Sequence, residues 1–147
     1  MPICRDVMTR EPVCCEPADS VTRAAQMMQQ HDVGSLPVVD SRESRRLVGI
    51  VTDRDLVTKV VAGNRNVASA TVQDAMTPEP ASCTETDDVE RAVSLMADRQ
   101  VRRMPVVDES GRLSGIIAQA DVATRVNMDQ TTGQLVEAIS EPPAERR

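Results

Sequence analysis

The pentapeptide Leu36-Pro37-Val38-Val39-Asp40 returns 68 residues later (104 − 36 = 68) as Met104-Pro105-Val106-Val107-Asp108, with a change only at its first position. The same spacing relates Met8-Thr9 to Met76-Thr77. When residues 8–40 are aligned with 76–108 without a gap, 15 of the 33 positions are identical. The chain therefore contains a duplicated unit, and the fold is expected to consist of two copies of it.

Each copy alternates between extended and helical patterns. The apolar residues at helical spacing, which predict a buried stripe, are Val21, Ala24, Ala25 and Met28 in the first copy and Val89, Ala92, Val93 and Met96 in the second. Asp87, with Glu90 behind it, is the predicted N-cap of the second of these helices. Apolar runs at 36–39 and 47–52 predict a hairpin, and a second helix is expected over 53–62, ending at Gly63. With short extended pieces at 13–15 and 82–84, each copy has the order β-α-β-β-α.

These elements predict an α/β (α+β) fold made of two tandem repeats. We expect repeat 1 at residues 3–62, a linker at 63–71, repeat 2 at 72–126 and a tail at 127–147. The tail carries a further short helix over 131–139, on which Leu135, Val136 and Ile139 share a face. Because two helices cover only one face of a small sheet, the two copies should pack together with pseudo-two-fold symmetry and leave a cleft.

Composition excludes several classes of function. The 147 residues carry a net charge of −6 and no Phe, Tyr or Trp, so the basic stripe and stacking rings of nucleic-acid binders are missing. No apolar stretch is long enough to span a membrane, and the first residues lack a secretory signal, which predicts a cytoplasmic protein. The four cysteines are expected to be reduced thiols rather than disulfides or metal ligands, since His31 is the only histidine.

The segment 49–55, Gly-Ile-Val-Thr-Asp-Arg-Asp, runs from an apolar strand into a helix start. Amide groups at a helix N-terminus favour anions, Thr52 adds a hydroxyl donor, and Asp55 could accept hydrogen bonds from a ribose diol. The same two side chains also fit a capping box, in which they serve only backbone amides. Both interpretations are open at this stage.

Two arginines distinguish the copies at the entry to a core strand. The first copy has Gly34-Ser35 where the second has Arg102-Arg103. The pair could be a solvated charge pair at a strand edge or a clamp for phosphate oxygens, which guanidinium groups bind in a bidentate manner.

Taken together, the motifs resemble the cystathionine-β-synthase (CBS) domain pair, or Bateman module. They are Asp-x-Met-Thr at the head of each copy, Leu-Pro-Val-Val-Asp in the middle and Gly-Ile-Val-Thr-Asp-Arg-Asp near the end, and the match covers about residues 3–126. The resemblance implies a regulatory homodimer that binds AMP, ADP or ATP, sometimes S-adenosylmethionine or NAD, between the repeats and signals to a partner protein. It also implies that Asp55 holds the ribose, Thr52 lies at the phosphate side and Ile50 lines the adenine slot. The residues implied to reach in from the other repeat are Val101, Arg102, Arg103 and Pro105.

The second cleft departs from this pattern. Asp121 is kept beside Ile116, but Ala118 has no hydroxyl, and the opposing segment is Val33-Gly34-Ser35. We therefore expect that cleft to be empty or to take a weak ligand. No nucleophile with an acid/base partner is visible, so the protein is not expected to be an enzyme or to require a cofactor. A ligand-free scaffold is the alternative function, and the surplus apolar helix residues Met27, Val57 and Leu95 agree with a dimer.

Overall fold

The structure is a computed structural model that describes residues 2–125. Its helices and strands, in chain order, are α1 (Cys4–Val7), β1 (Thr9–Arg10), α2 (Val21–His31), β2 (Ser35–Val39), β3 (Leu47–Thr52), α3 (Asp53–Asp55), a π-helix (Leu56–Val61), α4 (Val72–Ala75), β4 (Thr77–Pro78), β5 (Cys83–Thr84), α5 (Val89–Arg99), β6 (Arg103–Val107), β7 (Leu113–Ala118) and α6 (Gln119–Arg125). The mixture of helices and strands in two related halves confirms the predicted fold class.

The chain divides into two compact units, each with its own sheet and apolar core. Unit 2 is Val13–Pro80, and unit 1 comprises residues 2–12 and 81–125 of the described chain. The sheet of unit 2 has the order β2-β3-β4 and is antiparallel throughout. The sheet of unit 1 has the order β1-β7-β6-β5, in which β5 runs parallel to β6.

The compact units are offset from the sequence repeats because each repeat contributes its head to the other unit. β1, from the start of the chain, pairs with β7, and β4 pairs with β3. The exchange is symmetric: the Cys4 amide donates to Asp87 O at 2.8 Å, and the Val72 amide, 68 residues later, donates to Asp19 O at 2.8 Å. The head of each repeat is therefore part of the other repeat's core.

A glycine in each central strand makes room for the exchanged head. A Cβ on Gly49 would lie 2.7 Å from Met76 Sδ, and one on Gly115 would lie 2.5 Å from Met8 Sδ. No real side chain tolerates such contacts, so these strand positions accept only glycine without rearrangement. The glycine of the repeated Gly-Ile motif thus has a packing reason.

Helix α2 begins with a side-chain cap. Ser20 Oγ accepts a hydrogen bond from the Arg23 amide at 3.0 Å, and the helix ends at Asp32 in the left-handed conformation. Val21, Ala24 and Met28 are buried as predicted, but Ala25 is exposed. Met27, expected to be a surplus apolar residue, is buried in its place. The buried face is therefore rotated toward Met27, which has the longer side chain.

Helix α5 buries all four residues of its predicted stripe. The predicted cap at Asp87 is wrong, since the N-cap is Asp88 and the helix starts at Val89. Asp87 instead accepts a hydrogen bond from the Thr84 amide at 2.9 Å and lies 3.5 Å from Arg91. Leu95, expected to be surplus, is half-buried against the core of unit 1.

The second helix of repeat 1 has an unexpected geometry. After the single turn α3 it continues as a π-helix, in which the Ala62 amide bonds Val57 O at 2.8 Å. Only Val60 is buried there, while Val57 and Val61 are 59% and 64% exposed. Its counterpart α6 is an ordinary α-helix. The helix predicted over 131–139 lies outside the described residues.

Candidate functional site

The turn from β3 into α3 carries the Thr52 and Asp55 side chains. Thr52 Oγ1 accepts a hydrogen bond from the Asp55 amide at 3.0 Å, and Asp55 Oδ2 accepts one from the Thr52 amide at 3.0 Å. This is a complete capping box, so the capping interpretation of the motif is realised. The box forms because the strand leaves Thr52 extended, with φ −117° and ψ 163°, while Asp55 is already helical.

The capping contact engages only one oxygen of the Asp55 carboxylate, Oδ2. Its second oxygen, Oδ1, lies 3.4 Å from Lys59 Nζ, and the side chain of Asp55 is 15% exposed. A carboxylate offers about four acceptor positions, of which these two contacts use one on each oxygen. Lys59 was not among the residues singled out from the sequence. The Asp-x-x-x-Lys spacing, which places two charges on one helix face, is the signal that could have found it.

The β2–β3 hairpin of unit 2 places Ser35 and Pro37 beside the motif residues of β3. Ser35 is opposite Thr52 and Pro37 is opposite Ile50, with the Asp53 amide bonded to Gly34 O at 2.9 Å. Ile50 and Thr52 are half-buried at this edge. Unit 2 therefore groups Ile50, Thr52 and Asp55 with the segment that starts at Val33, itself half-buried against the core.

Unit 1 has the corresponding turn in a weaker form. Asp121 Oδ2 accepts a hydrogen bond from the Ala118 amide at 3.4 Å, and Ala118 has no hydroxyl to return one. The box is thus half formed. Ile116, two residues before Ala118 in β7, is buried.

The arginine segment lies beside this second turn within unit 1. Arg103 is opposite Ala118 and Pro105 is opposite Ile116 in the β6–β7 ladder, while the Gln119 amide donates to Arg102 O at 2.8 Å. Arg102 and Val101 are exposed, and Arg103 is half-buried. The predicted combination of Thr52 and Asp55 with these arginines joins residues of two units and stays a prediction.

The cysteines are free thiols. Cys4, Cys15 and Cys83 are buried, and Cys14 is half-buried with its sulfur 3.6 Å from Arg45 Nη1. Burial raises the pKa of the Cys15 thiol to about 12. The hydrogen bond with Cys83, together with burial, raises the pKa of Cys4 above its ordinary value. Both thiols are therefore protonated near neutral pH.

Two grooves lie outside the motif turns. One, of about 540 Å³, follows the exposed side of α5 in unit 1 and carries several carboxylates, among them Asp88 and Asp98. The other, of about 290 Å³, lies beside α2 and the π-helix in unit 2 and is mainly apolar, with Val61 and Val67 at its edge. Among residues 2–125, no cluster of three or more His, Cys, Asp or Glu side chains is placed to hold a metal ion. No helix in this part of the chain is long and apolar enough to cross a membrane.

Comparison with known proteins assigns the chain to a family. The family model for the CBS domain matches residues 4–62 and again 72–127. The uncharacterized protein YlbB of Bacillus subtilis is 38% identical over 137 residues, which is 93% of this chain and 90% of that protein.

Solved structures agree with that assignment. Hypoxic Response Protein I, crystallised with two coordinated zinc ions, is 33% identical with a TM-score of 0.75, covering 84% of this chain and 98% of that one. CBSX2, crystallised in complex with AMP, is 29% identical with a TM-score of 0.73, covering 88% of this chain and 99% of that one. With two matched repeats across most of its length, the chain belongs to the CBS domain family.

Proposed function

We propose that this protein is a regulatory module that binds an adenine nucleotide, AMP, ADP or ATP, and passes the bound state to a partner protein. The observation that carries the proposal is the Asp55 carboxylate, which is ordered by two contacts and keeps acceptor positions for a ribose diol. The AMP complex of the similar protein CBSX2 supports the ligand class.

The residues are given roles by their chemistry. Asp55 accepts the ribose hydroxyls, Thr52 supplies a hydroxyl toward the phosphate, and Ile50 offers an apolar side to adenine. Arg102 and Arg103 neutralise phosphate, because guanidinium groups bind phosphate oxygens through paired hydrogen bonds. Val101 and Pro105 add apolar contact from the same repeat. The second cleft, with Ile116, Asp121 and Val33, takes a weak ligand or none.

A second arrangement is favoured by the geometry within unit 1. Arg103 is directly opposite Ala118, and Arg102 O accepts the Gln119 amide, so the arginines flank the turn that holds Asp121. In that arrangement the phosphate would lie near Asp121 and the Thr52 turn would bind only the nucleoside part of a second ligand. Because Ala118 removes one hydroxyl donor, the first arrangement has more ligand groups, and we retain it.

The experiment that tests the function uses the very low ultraviolet absorbance of the protein itself. Since the sequence contains no Trp, Tyr or Phe, heat-released nucleotide dominates absorbance at 260 nm. A thermal-shift panel of AMP, ADP, ATP, S-adenosylmethionine and NAD then ranks the ligands. A ligand at 100 times its Kd should add about 2.7 kcal/mol of stability. If no member of the panel shifts the melting temperature and no ligand is released, the protein is a scaffold and the proposal is wrong.

The two arrangements are separated by the variants Asp55→Ala and Asp121→Ala. Arg103→Ala should weaken AMP far more than adenosine in either arrangement. In the first arrangement, Asp55→Ala abolishes AMP binding and Asp121→Ala leaves it unchanged. The reverse result would establish the second arrangement.

A further inference from the structure

Among the residues that the structure describes, Lys59 forms an ion pair with Asp55, the candidate ribose acceptor. Its Nζ lies 3.4 Å from Asp55 Oδ1 and 3.1 Å from the carbonyl oxygen of Ala75, at the end of α4. The ammonium group of Lys59 thus contacts two elements of unit 2. A lysine ammonium has three donors, and these two contacts fix its direction.

The lysine belongs to the π-helix, the part of unit 2 whose geometry departs from its counterpart. Such wide turns are rare and frequently occur at functional sites. The π-helix follows α3 without a break, so Asp55 and Lys59 are one turn apart on a continuous helical segment from Asp53 to Val61. Thr58 Oγ1, on the same turn, donates to Arg54 O at 2.9 Å and does not compete for Asp55.

The two contacts of the Asp55 carboxylate are divided between its oxygens. The Thr52 amide uses one acceptor position on Oδ2, and Lys59 uses one on Oδ1. One acceptor position therefore remains on each oxygen, on the same carboxylate plane. Two adjacent hydroxyl groups, as in a ribose 2′,3′-diol, need two neighbouring acceptors of this kind. A ligand with a single hydroxyl needs only one of them, and for it the orientation of the carboxylate matters less.

We propose that Lys59 is a positioning residue that holds the Asp55 carboxylate in the orientation required by a vicinal diol, and that it thereby sets the preference of the site for ribose over deoxyribose. This inference rests on the proposed function, since it assigns a specificity to the same site. The hydrogen bond to Ala75 O is needed because a lysine that contacted only Asp55 would move together with that side chain. It would then not restrict the orientation of the carboxylate.

The test compares AMP with 2′-deoxy-AMP by isothermal titration of the full chain. Wild-type protein should prefer AMP. Lys59→Met should reduce that preference about fivefold, the size expected for an ion pair at a half-exposed site. Lys59→Arg, which keeps the charge and its donors, should restore most of the preference. A merely structural role for Lys59 would weaken both nucleotides equally and leave their ratio unchanged.

The matched control is Arg42→Gln. Arg42 is exposed, carries the same charge and pairs with Glu16 at 3.8 Å in the same unit, without a contact to Asp55 or α4 among the ion pairs of the described residues. Its loss should leave the ratio of the two affinities unchanged. If Lys59→Met also leaves that ratio unchanged while wild-type protein binds AMP, the inference is overturned and the proposed function stands. If the wild-type chain binds ADP or ATP instead of AMP, the same comparison is made with that nucleotide and its 2′-deoxy form; if it binds no member of the panel, both are overturned.

Discussion

At the scale of single residues, the clearest prediction concerns the two motif carboxylates. A saturating nucleotide should raise the melting temperature of wild-type protein by roughly 5–10 °C. Asp55→Ala should remove most of this shift, because the ribose loses its acceptor, and Asp121→Ala should leave it nearly intact. Differential scanning fluorimetry measures all three proteins with and without ligand.

The control for that prediction lies in the ligand-free melting temperatures. Asp55 caps its helix through the Thr52 amide, so its loss should lower the stability of the free protein by about 1 kcal/mol. Only the ligand-induced difference is therefore diagnostic. Equal losses from Asp55→Ala and Asp121→Ala would contradict the asymmetry between the two turns.

Buried thiols should make the protein sensitive to alkali. The folded-state pKa of Cys15 is raised to about 12 from 9.0, so the unfolded chain loses its proton first as pH rises. The stabilising contribution is complete below pH 9 and is lost between pH 9 and about 12, at a limiting slope of roughly 1.4 kcal/mol per pH unit. Urea titrations at several pH values should show a shallower decline for Cys15→Ala. An unchanged slope in that variant would exclude Cys15 as the cause.

At the scale of elements, the exchanged heads depend on close approach at two glycines. Gly49→Ala should cost about 1–3 kcal/mol, because the new methyl group meets both Met76 Sδ and Thr77 O, the latter at 3.1 Å. Gly34→Ala is the matched control, since its methyl group would meet only the Asp53 side chain, at 3.2 Å. Urea denaturation measures both. Equal, small effects would mean that β4 detaches from β3 at little cost.

Much of this element structure could be predicted from the sequence. The duplicated pattern gave α2, α5 and both hairpins, because a 3.6-residue or two-residue period identifies a buried face without knowledge of its partner. The exchange of the heads could not be predicted, since residues 4–10 and 72–78 have equivalent sequence patterns. Either pattern is compatible with pairing to either sheet. The shift of the N-cap from Asp87 to Asp88 has a similar origin: two adjacent aspartates offer the same chemistry.

The candidate site was predictable only in part. The Thr52–Asp55 spacing predicted the capping box, which the structure contains, while the ribose contact of Asp55 stays a prediction. The Asp55–Lys59 spacing was visible in the sequence, but the second contact of Lys59, with Ala75 O 16 positions away, depends on the placement of α4. The π-helix was missed because its sequence pattern does not differ from that of an α-helix.

At the scale of the whole molecule, we expect a homodimer. Val57 and Val61 are exposed on the π-helix, and Val61 lines an apolar groove of unit 2 together with Val67. Light scattering should give about 32 kDa, twice the 16.0 kDa of one chain. Val61→Glu should shift the mass toward that of one chain, because it buries a charge at the interface. Ser110→Glu, which adds the same charge to the exposed turn before β7, should leave the dimer intact. A wild-type mass of 16 kDa at micromolar concentration would contradict the prediction.

The number of ligands per chain follows from the unequal turns. A phosphorylated ligand at the Ala118 turn lacks the hydroxyl that Thr52 supplies, and the box there is held by a single 3.4 Å contact. Each missing partner costs roughly 1–3 kcal/mol, which is about a fivefold to hundredfold loss in affinity. Isothermal titration should therefore give one strong site per chain. Ala118→Thr should restore the hydroxyl and the full capping box, and we expect it to create a second measurable site beside Asp121, weaker than the first because the opposing segment Val33-Gly34-Ser35 holds no arginine for a phosphate. Two equal sites in the wild-type protein would show that the hydroxyl is dispensable, and the asymmetric assignment of Thr52 and Ala118 would then be wrong.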